Sequence, residues 1–221
     1  MVTLSAHQNA YWPWMGWLNK VGRADVFIVL DNVGYEKNSY INRNKIKGPE
    51  GEIWLTVPLK TKGNFNKPIW RVEESAGKWR TKHPKTIRQY YGKAVFFTNY
   101  FWAIEKAYSY LEWHRFFPIE MMNTRWYYQS ILQIEGHKQE LIINLCKHFK
   151  ADRFIFGAKG RDYCDMGLFK KHGIEPLFQD FTAIEYPQLW GPFIPNLSVI
   201  DALFNVGAKR TRELIMEGWK P

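Results

Sequence analysis

The chain has 221 residues, 46% of them hydrophobic, which is enough to bury a substantial core, roughly 70% of its unfolded surface. No apolar stretch approaches the roughly 20 residues that span a bilayer, and no basic segment precedes an apolar core at the N-terminus. We therefore expect no membrane span, no signal peptide and a cytoplasmic location. The two cysteines, Cys146 and Cys164, form no CxxC pair, which argues against a zinc site and is compatible with a reducing compartment.

The net charge of +10 is concentrated in one part of the chain. Between Lys37 and Lys93 there are fourteen Lys or Arg residues and four Asp or Glu residues, whereas the rest of the chain holds seventeen of each. A basic block of this kind is typical of proteins that bind nucleic acid, a nucleotide or a phosphorylated sugar. A solvated basic surface without a dedicated ligand gives the same pattern, so both interpretations stay open.

The N-terminal stretch predicts the opening of a βαβ unit. Val2–Ala6 and Asp25–Leu30 are short apolar runs of the kind that form buried strands. Trp14–Arg23 predicts a short helix between them, with Pro13 near its first helical position, where a missing N–H costs least. The amides of a first helical turn favour anions, so we expect a phosphate or carboxylate to bind there.

Polar residues follow both predicted strands. His7 and Gln8 follow the first strand and Asp31 follows the second, so we expect them at the sheet edge where open α/β sheets bind ligands. His7 can act as an acid or base, or simply form structural hydrogen bonds. Asp31 can take a proton from an amine, bind Mg²⁺ or cap a turn. Lys20 can steer a phosphate or remain a solvated surface lysine.

The next segments predict strands followed by helices. Arg43, Lys45 and Lys47 alternate, so in an extended segment they share one face and can bind a phosphate or carboxylate. Ile53–Lys60 and Ile69–Val72 predict two further strands. The aromatic stretch after them predicts a helical insertion at roughly 77–125. A short strand is predicted to follow this insertion at Trp126–Leu132.

The C-terminal half predicts a second βαβ-like unit. Gln139–Lys150 predicts an amphipathic helix, and Arg153–Phe156 predicts a strand. Met166–His172 predicts a helix that Gly173 ends, and Ile174–Phe178 predicts the next strand. Together the elements predict a three-layer α/β fold with a mostly parallel sheet and an added helical segment, in a single domain over residues 1–221.

A glycine-rich loop follows the predicted strand of the second unit. Gly157 and Gly160 permit close backbone approach, Lys159 and Arg161 supply charge, and Tyr163 follows. The spacing is not that of a Walker motif, so the loop predicts either a phosphate or carboxylate site or a plain strand-to-helix turn. A catalytic triad of His7, Ser198 and Asp201 is not favoured. Ser198 is instead the expected N-cap of a helix, and no Gly-x-Ser-x-Gly elbow is present.

The order of many of these residues resembles the WbqC-like family over roughly residues 2–93 and 126–207. The N-terminal part of the pattern comprises His7, Gln8, Tyr11, Pro13, Trp14, Gly16, Lys20, Ala24, Asp25, Asp31, Asn42, Arg43, Ile46 and Lys47. The C-terminal part comprises Gly157, Gly160, Arg161, Asp162, Tyr163, Asp165, Gln179, Asp180, Phe181, Tyr186, Pro187, Gln188, Phe193, Pro195, Asn196, Leu197, Ser198, Asp201, Leu203, Phe204, Asn205 and Gly207. Asn9 stands where the family usually has proline.

The resemblance implies transfer of an aminoacyl group, glycyl among the candidates, or an acyl group. The acceptor would be the amine of an amino sugar, nucleotide-linked, in bacterial surface-polysaccharide biosynthesis. The donor stays open between aminoacyl-tRNA, ATP with a free amino acid, and an acyl thioester, and the cofactor is unknown. An ATP-dependent amide ligase and a non-catalytic RNA- or polyanion-binding protein are the alternatives. Trp14-Met15-Gly16-Trp17 lacks the two imidazoles of the His-x-Gly-His motif of nucleotidyl-transferring α/β enzymes, which argues against ATP chemistry.

The residues and the resemblance together give a set of candidate site residues, without a metal site. His7 and Asp31 are the expected catalytic residues. The expected substrate- and phosphate-binding residues are Gln8, Tyr11, Trp14, Gly16, Lys20, Asn42, Arg43, Lys45, Lys47, Gly157, Lys159, Gly160, Arg161, Tyr163 and Gln188. The expected ligand is a nucleotide sugar or another anionic small molecule.

Overall fold

A parallel five-stranded sheet forms the centre of the fold, and the computed structural model describes residues 1–60, 67–115 and 122–221. The strands are β1 (Thr3–His7), β2 (Val26–Val29), β3 (Arg43–Gly48), β4 (Gly51–Thr56), β5 (Arg125–Tyr128), β6 (Arg153–Phe156) and β7 (Glu175–Phe178). The helices are α1 (Met15–Arg23), α2 (Trp79–Tyr91), α3 (Phe97–Tyr110), α4 (Gln129–Leu132), α5 (Gln139–Phe149), α6 (Met166–Lys171) and α7 (Val199–Glu217).

The sheet has the order β5-β2-β1-β6-β7, and its neighbouring strands are all parallel. Leu4 of β1 pairs with Val26 of β2 on one side and with Phe154 of β6 on the other. The chain leaves β1 toward β2 on one side, whereas β6 continues to β7 on the opposite side. This reversal creates a crevice between the carboxyl ends of β1 and β6, which is where open α/β sheets bind ligands.

Helices cover both faces of the sheet. Leu18 of α1 and Leu214 of α7 share one buried cluster with Phe27 of β2. Leu145 of α5 and Phe169 of α6 belong to a second cluster against the opposite face. The predicted three-layer α/β fold with a mostly parallel sheet is therefore confirmed. Strands buried on both faces are apolar throughout, as in the four buried residues of β2.

A third buried cluster lies beside the sheet. It joins the antiparallel β3–β4 hairpin to α2, α3 and the start of α7, with Ile46, Leu55, Ile87 and Phe204 among its fully or almost fully buried members. The helical segment predicted after the hairpin therefore packs on the hairpin and on α7.

Some predicted boundaries were wrong. Ile69–Val72 is not a strand: a 3₁₀ turn spans Ile69–Arg71, because the amide of Arg71 donates locally to the carbonyl of Pro68. The strand expected at Trp126–Leu132 ends at Tyr128, and the next four residues form α4. Pro13 precedes α1 rather than entering it, since Trp14 is the N-cap.

Candidate functional site

The crevice at the carboxyl ends of β1 and β6 contains a cavity of about 570 Å³, here called the first lobe. Its lining residues come from the end of β1, the segment after β2, helices α1 and α5, strand β6 with the turn after it, and the segment after β7. They are Ala6, His7, Gln8, Trp14, Gly16, Trp17, Lys20, Leu30, Val33, Ile142, Phe154, Phe156, Gly157, Ala158, Lys159, Gly160, Tyr163, Gln179 and Phe181. His7 and Gly157 thus face the same cavity from neighbouring strands.

The first lobe is basic and aromatic. Its lining includes the imidazole of His7 and the amines of Lys20 and Lys159, and within the described part of the chain it includes no Asp or Glu. A cavity lined by cations and aromatic rings, without a carboxylate, favours an anionic group attached to a planar or apolar body. The composition of the wall therefore favours an anionic ligand over a cationic one.

Lys20 is the buried cation of this wall. It lies on α1 with only 3% of its surface exposed, and its Nζ donates to the carbonyl of Ala6 at 3.1 Å. No ion pair to Lys20 is formed within the described ranges. Burial disfavours the ammonium form, so the pKa of Lys20 is lowered from 10.5 to about 7. At neutral pH both the ammonium and the free amine are therefore populated.

His7 is the last residue of β1 and is exposed to the cleft. Its Nδ1 lies 3.0 Å from the carbonyl oxygen of Gln8. A carbonyl only accepts, so Nδ1 carries the proton and the neutral ring leaves Nε2 as an acceptor. Desolvation by the surrounding protein, followed by repulsion from the Lys20 ammonium, holds the pKa of His7 well below its usual range. The lowered pKa favours the neutral form of the imidazole.

The carbonyl of Gln8 links the end of β1 to α1. This carbonyl accepts one hydrogen bond from Trp17 Nε1 at 3.0 Å and another from His7 Nδ1. Buried Gln179, which follows β7, donates to the carbonyl of Gly16 at 2.9 Å and to Asn19 Oδ1 at 2.7 Å. These bonds fix α1 relative to β1 and to the segment after β7, so the wall of the first lobe is pre-formed.

Trp14 is the aromatic wall at the start of α1. Its ring packs edge-on against Phe181 at 5.4 Å between ring centroids. The ring also lies over Gly16, where an added Cβ would come within 2.1 Å of it. Glycine at position 16 therefore allows Trp14 to lie flat along the helix and line the cleft.

The turn after β6 forms the opposite wall. An added Cβ at Gly160 would come within 2.4 Å of Phe156, so glycine allows the turn to fold back onto the strand. The amide of Gly160 donates to the carbonyl of Gly157 at 2.8 Å, which occupies it inside the turn. Arg161 does not line the cavity, because its guanidinium binds both oxygens of Asp180 at 2.7 and 2.6 Å. Lys159 is thus the exposed cation that this turn contributes.

A second cavity of about 520 Å³, the second lobe, adjoins the first. The two lobes share His7, Gln8, Trp14, Trp17 and Lys159. The second lobe adds Asn9, Ala10, Glu36, Ser39, Tyr40, Ile41 and Asn196. The carboxamide of Asn9 is buried and has no hydrogen-bond partner among the described residues, which is costly for a polar group in the wall of a cavity. The cleft therefore has two compartments that meet at His7.

Asp31 lies outside both lobes, although it follows β2 as expected. It is 2% exposed, and its two carboxylate oxygens accept from the amide of Ser130 at 2.8 Å and from the Ser130 hydroxyl at 2.6 Å. The carboxylate therefore holds the first turn of α4, which corresponds to the capping alternative.

Other expected binding residues are used inside the fold. The hydroxyl of Tyr11 bonds with His83 and Tyr108, and Asn42 bonds with Tyr35 and with the carbonyl of Val57. Neither side chain lines a lobe.

Lys47 and Gln188 form a buried link between the hairpin and the segment before α7. Lys47 Nζ donates to Gln188 Oε1 at 3.0 Å and to two backbone carbonyls, of Gly191 and Pro192. Lys47 is 1% exposed, so this cation is not available to a ligand in the cleft. Arg43 and Lys45 lie on the outer face of the hairpin instead, around Trp54.

Sequence reasoning missed several lining residues. Gln179 follows β7, so the strand-end argument that selected His7 would also have selected it. Trp17 and Tyr40 carry no such signal, because an aromatic residue in a helix or loop is usually part of the core.

The fold and the cleft define an α/β protein with a basic, two-lobed cleft at the carboxyl edge of a parallel sheet. Residues 8–213 match the WbqC-like protein family, and the chain belongs to that family. The uncharacterized protein Rv1507c of Mycobacterium tuberculosis is 30% identical to this chain over an alignment of 221 positions, which covers 91% of this chain and 93% of that protein. No solved structure gives a significant match. In the described ranges, every helix is too short or too polar to cross a membrane.

Proposed function

We propose that the protein is a transferase that moves an aminoacyl group, glycyl among the candidates, or another acyl group onto the amine of an amino sugar. The acceptor is carried on a nucleotide, and the reaction belongs to bacterial surface-polysaccharide biosynthesis. The observation that carries this proposal is the two-lobed cleft, whose compartments meet at His7 and Lys159. A group transfer needs a donor and an acceptor side by side, and the shared wall provides a meeting point for their reacting atoms.

The charges of the first lobe support an anionic acceptor. Lys20 and Lys159 lie in a wall whose described residues include no acid, so a diphosphate supplies the counter-charge that this wall lacks. Trp14 and Tyr163 offer aromatic surfaces for a sugar ring or a base. The anion also offsets the field of Lys20, which raises the basicity of His7 in the complex.

His7 is the proposed proton acceptor. Its Nδ1–H is committed to the carbonyl of Gln8, so Nε2 is free to accept a proton. The acceptor amine attacks the acyl carbonyl carbon, the new N–C bond forms, and Nε2 takes the proton from the attacking nitrogen. The bond from the acyl carbon to its carrier then breaks, and the proton passes to the departing atom of the carrier. No other group is required to balance these steps.

The test compares His7→Asn with His172→Asn, which changes an exposed imidazole at the end of α6. Product formation from a nucleotide-linked amino sugar and an activated aminoacyl donor is followed by mass spectrometry, and thermal unfolding is measured on the same preparations. Turnover should fall by about 10²- to 10⁴-fold for His7→Asn, the usual contribution of a general acid or base, and should stay unchanged in the control. A destabilised but fully active His7→Asn protein would remove His7 from the mechanism.

A further inference from the structure

The outer face of the β3–β4 hairpin is an aromatic and basic surface that the cleft does not use. Trp54 is 41% exposed and pairs across the hairpin with Lys45. The guanidinium carbon of Arg43 lies 4.4 Å from the centre of the Trp54 ring system, and Lys45 Nζ lies 5.2 Å from it. The opposite face of the hairpin is buried in the core through Ile46 and Leu55. Successive side chains of a strand point to opposite faces, so the hairpin buries Ile46 and Leu55 and turns Trp54, with Arg43 and Lys45 beside it, toward solvent.

This surface is continuous with the second lobe. Tyr40 lines that lobe, is 44% exposed and lies 5.7 Å from Trp54 between ring centroids. On its other side, Trp54 lines a groove of about 620 Å³ between β4 and α2, to which Lys78 and Lys82 contribute. We call Tyr40, Arg43, Lys45, Trp54, Lys78 and Lys82 the aromatic–basic strip. It runs from the cleft, across the hairpin, to α2.

Charge complementarity indicates what the strip binds. Lys45 pairs with Glu52 at 2.5 Å, whereas Arg43, Lys78 and Lys82 form no ion pair within the described ranges. Cations beside exposed rings are the combination that single-stranded nucleic acid requires, because its phosphates need counter-charge and its unpaired bases stack on aromatic faces. A neutral glycan would use the rings without needing the cations, and a duplex would bury its bases away from them.

We propose that the aromatic–basic strip binds the single-stranded end of an aminoacylated RNA and guides that end into the second lobe. This inference rests on the proposed function, since an aminoacyl ester on an RNA end is an activated donor for the transfer. In that reaction the N–C bond to the amino sugar forms and the ester C–O bond breaks. The terminal ribose hydroxyl of the RNA receives the proton that the amine loses.

The binding test uses fluorescence anisotropy with a short labelled single-stranded RNA. Trp54→Ala removes the central ring of the strip, and Trp102→Ala is the matched control because Trp102 is a 64% exposed tryptophan on α3, outside the strip. Stacking contributes about 1–3 kcal/mol per base, so Trp54→Ala should weaken binding about 5- to 150-fold and Trp102→Ala should leave it unchanged. Charge reversal of Arg43 together with Lys45 should also reduce the salt dependence of binding.

Three outcomes would overturn the inference. The first is the absence of RNA binding at low salt. The second is equal affinity of the two tryptophan variants together with full competition by inorganic polyphosphate, which would show that only charge is recognised. The third is binding of a neutral oligosaccharide that depends on Trp54 and exceeds the affinity for RNA.

The inference and the proposed function can fail separately. Titration of a nucleotide-linked amino sugar reports on the first lobe, and His7-dependent turnover with a small activated ester reports on the chemistry. If both persist while RNA binding is absent, only the role of the strip is wrong. If RNA binds through Trp54 but no amino sugar binds or reacts, the strip is an RNA site and the transferase proposal is wrong.

Discussion

Replacing Lys20 with methionine should stabilise the folded protein at neutral pH while weakening the binding of anions in the first lobe. Only 3% of the surface of Lys20 is exposed, and its Nζ donates a hydrogen bond to one backbone carbonyl, that of Ala6. A buried ammonium without an ion pair is costly to the folded state, and methionine of similar length removes that cost. Residues that bind ligands often destabilise the fold, so a costly buried lysine in the wall of a cleft is consistent with a role in binding.

The expected change in the free energy of unfolding follows from the two pKa values of Lys20, which are 10.5 in the unfolded chain and about 7 in the folded protein. Each unit of difference corresponds to about 1.4 kcal/mol, so burying the ammonium costs on the order of 4–5 kcal/mol below pH 7. Methionine leaves the carbonyl of Ala6 without this donor, which offsets about 1–3 kcal/mol of the gain. We therefore expect a net stabilisation of about 1–4 kcal/mol near pH 7.

The sign of the pH dependence is fixed by which state holds more protons. Between about pH 7 and pH 10.5 the unfolded chain binds the Lys20 proton and the folded protein does not, so the wild-type protein gains stability as the pH rises. The methionine variant lacks this gain. Its stability relative to the wild type should accordingly fall by about 4 kcal/mol across that window, so that near pH 10.5 the variant is no more stable than the wild type.

Chemical denaturation at several pH values between about 6 and 10.5 measures this difference. Lys159→Met is the matched control, because Lys159 lines the same lobe but is exposed, and its stability should follow the wild type at every pH. A constant stability difference between Lys20→Met and the wild type across the window would refute the reasoning. An independent readout is His7, whose pKa should rise in Lys20→Met because the repelling ammonium is gone.

Two further substitutions test how the cleft is built. Asp31→Ala should lower the free energy of unfolding by about 2–4 kcal/mol, because it leaves the amide and hydroxyl of Ser130 without their charged acceptor. The folded fraction should keep its turnover, and a stable but inactive variant would return Asp31 to the list of catalytic candidates. Gly16→Ala should displace the Trp14 ring and weaken nucleotide-sugar binding at least about 5-fold, a loss of about 1 kcal/mol, as calorimetry would show. Gly77→Ala is its control, since Gly77 lines neither lobe and a Cβ there meets its nearest atom, in Pro58, at an ordinary 3.5 Å. Equal affinities of the two variants would contradict the role given to Trp14.

The sequence by itself determined the elements whose signals are local. The strand Arg153–Phe156 has the predicted bounds, because its three buried apolar residues stand between polar residues on one side and Gly157 on the other, which defines a strand without reference to the rest of the chain. Ser198 is the N-cap of α7, and its hydroxyl accepts from the amide of Ile200 at 3.3 Å. Gly173 adopts a φ of +70° after α6, a conformation that glycine adopts without strain. Each of these features depends only on residues within a few positions.

The tertiary structure alone decided which polar side chains are free to act. Lys47 and Gln188 meet across the fold, Arg161 binds Asp180, and Asp31 binds Ser130. Charge and alternation along a segment give the direction of a side chain but not its partner, because the partner lies on another element. Lys47, Gln188, Arg161 and Asp31 therefore form hydrogen bonds inside the protein that could not be predicted from the residues near them in the sequence.

The cleft itself combines both kinds of information. Strand-end position predicted that His7 and Gly157 face one site, because parallel strands place their carboxyl ends at one edge of the sheet. The protonation of Lys20 and His7 was not predictable in this way. Helical spacing places Lys20 one turn beyond Gly16, but the free energy of its charge depends on how completely α1 is enclosed by the sheet, α7 and the segment around Gln179. Spacing is a property of one element, whereas desolvation is set by everything that packs around it.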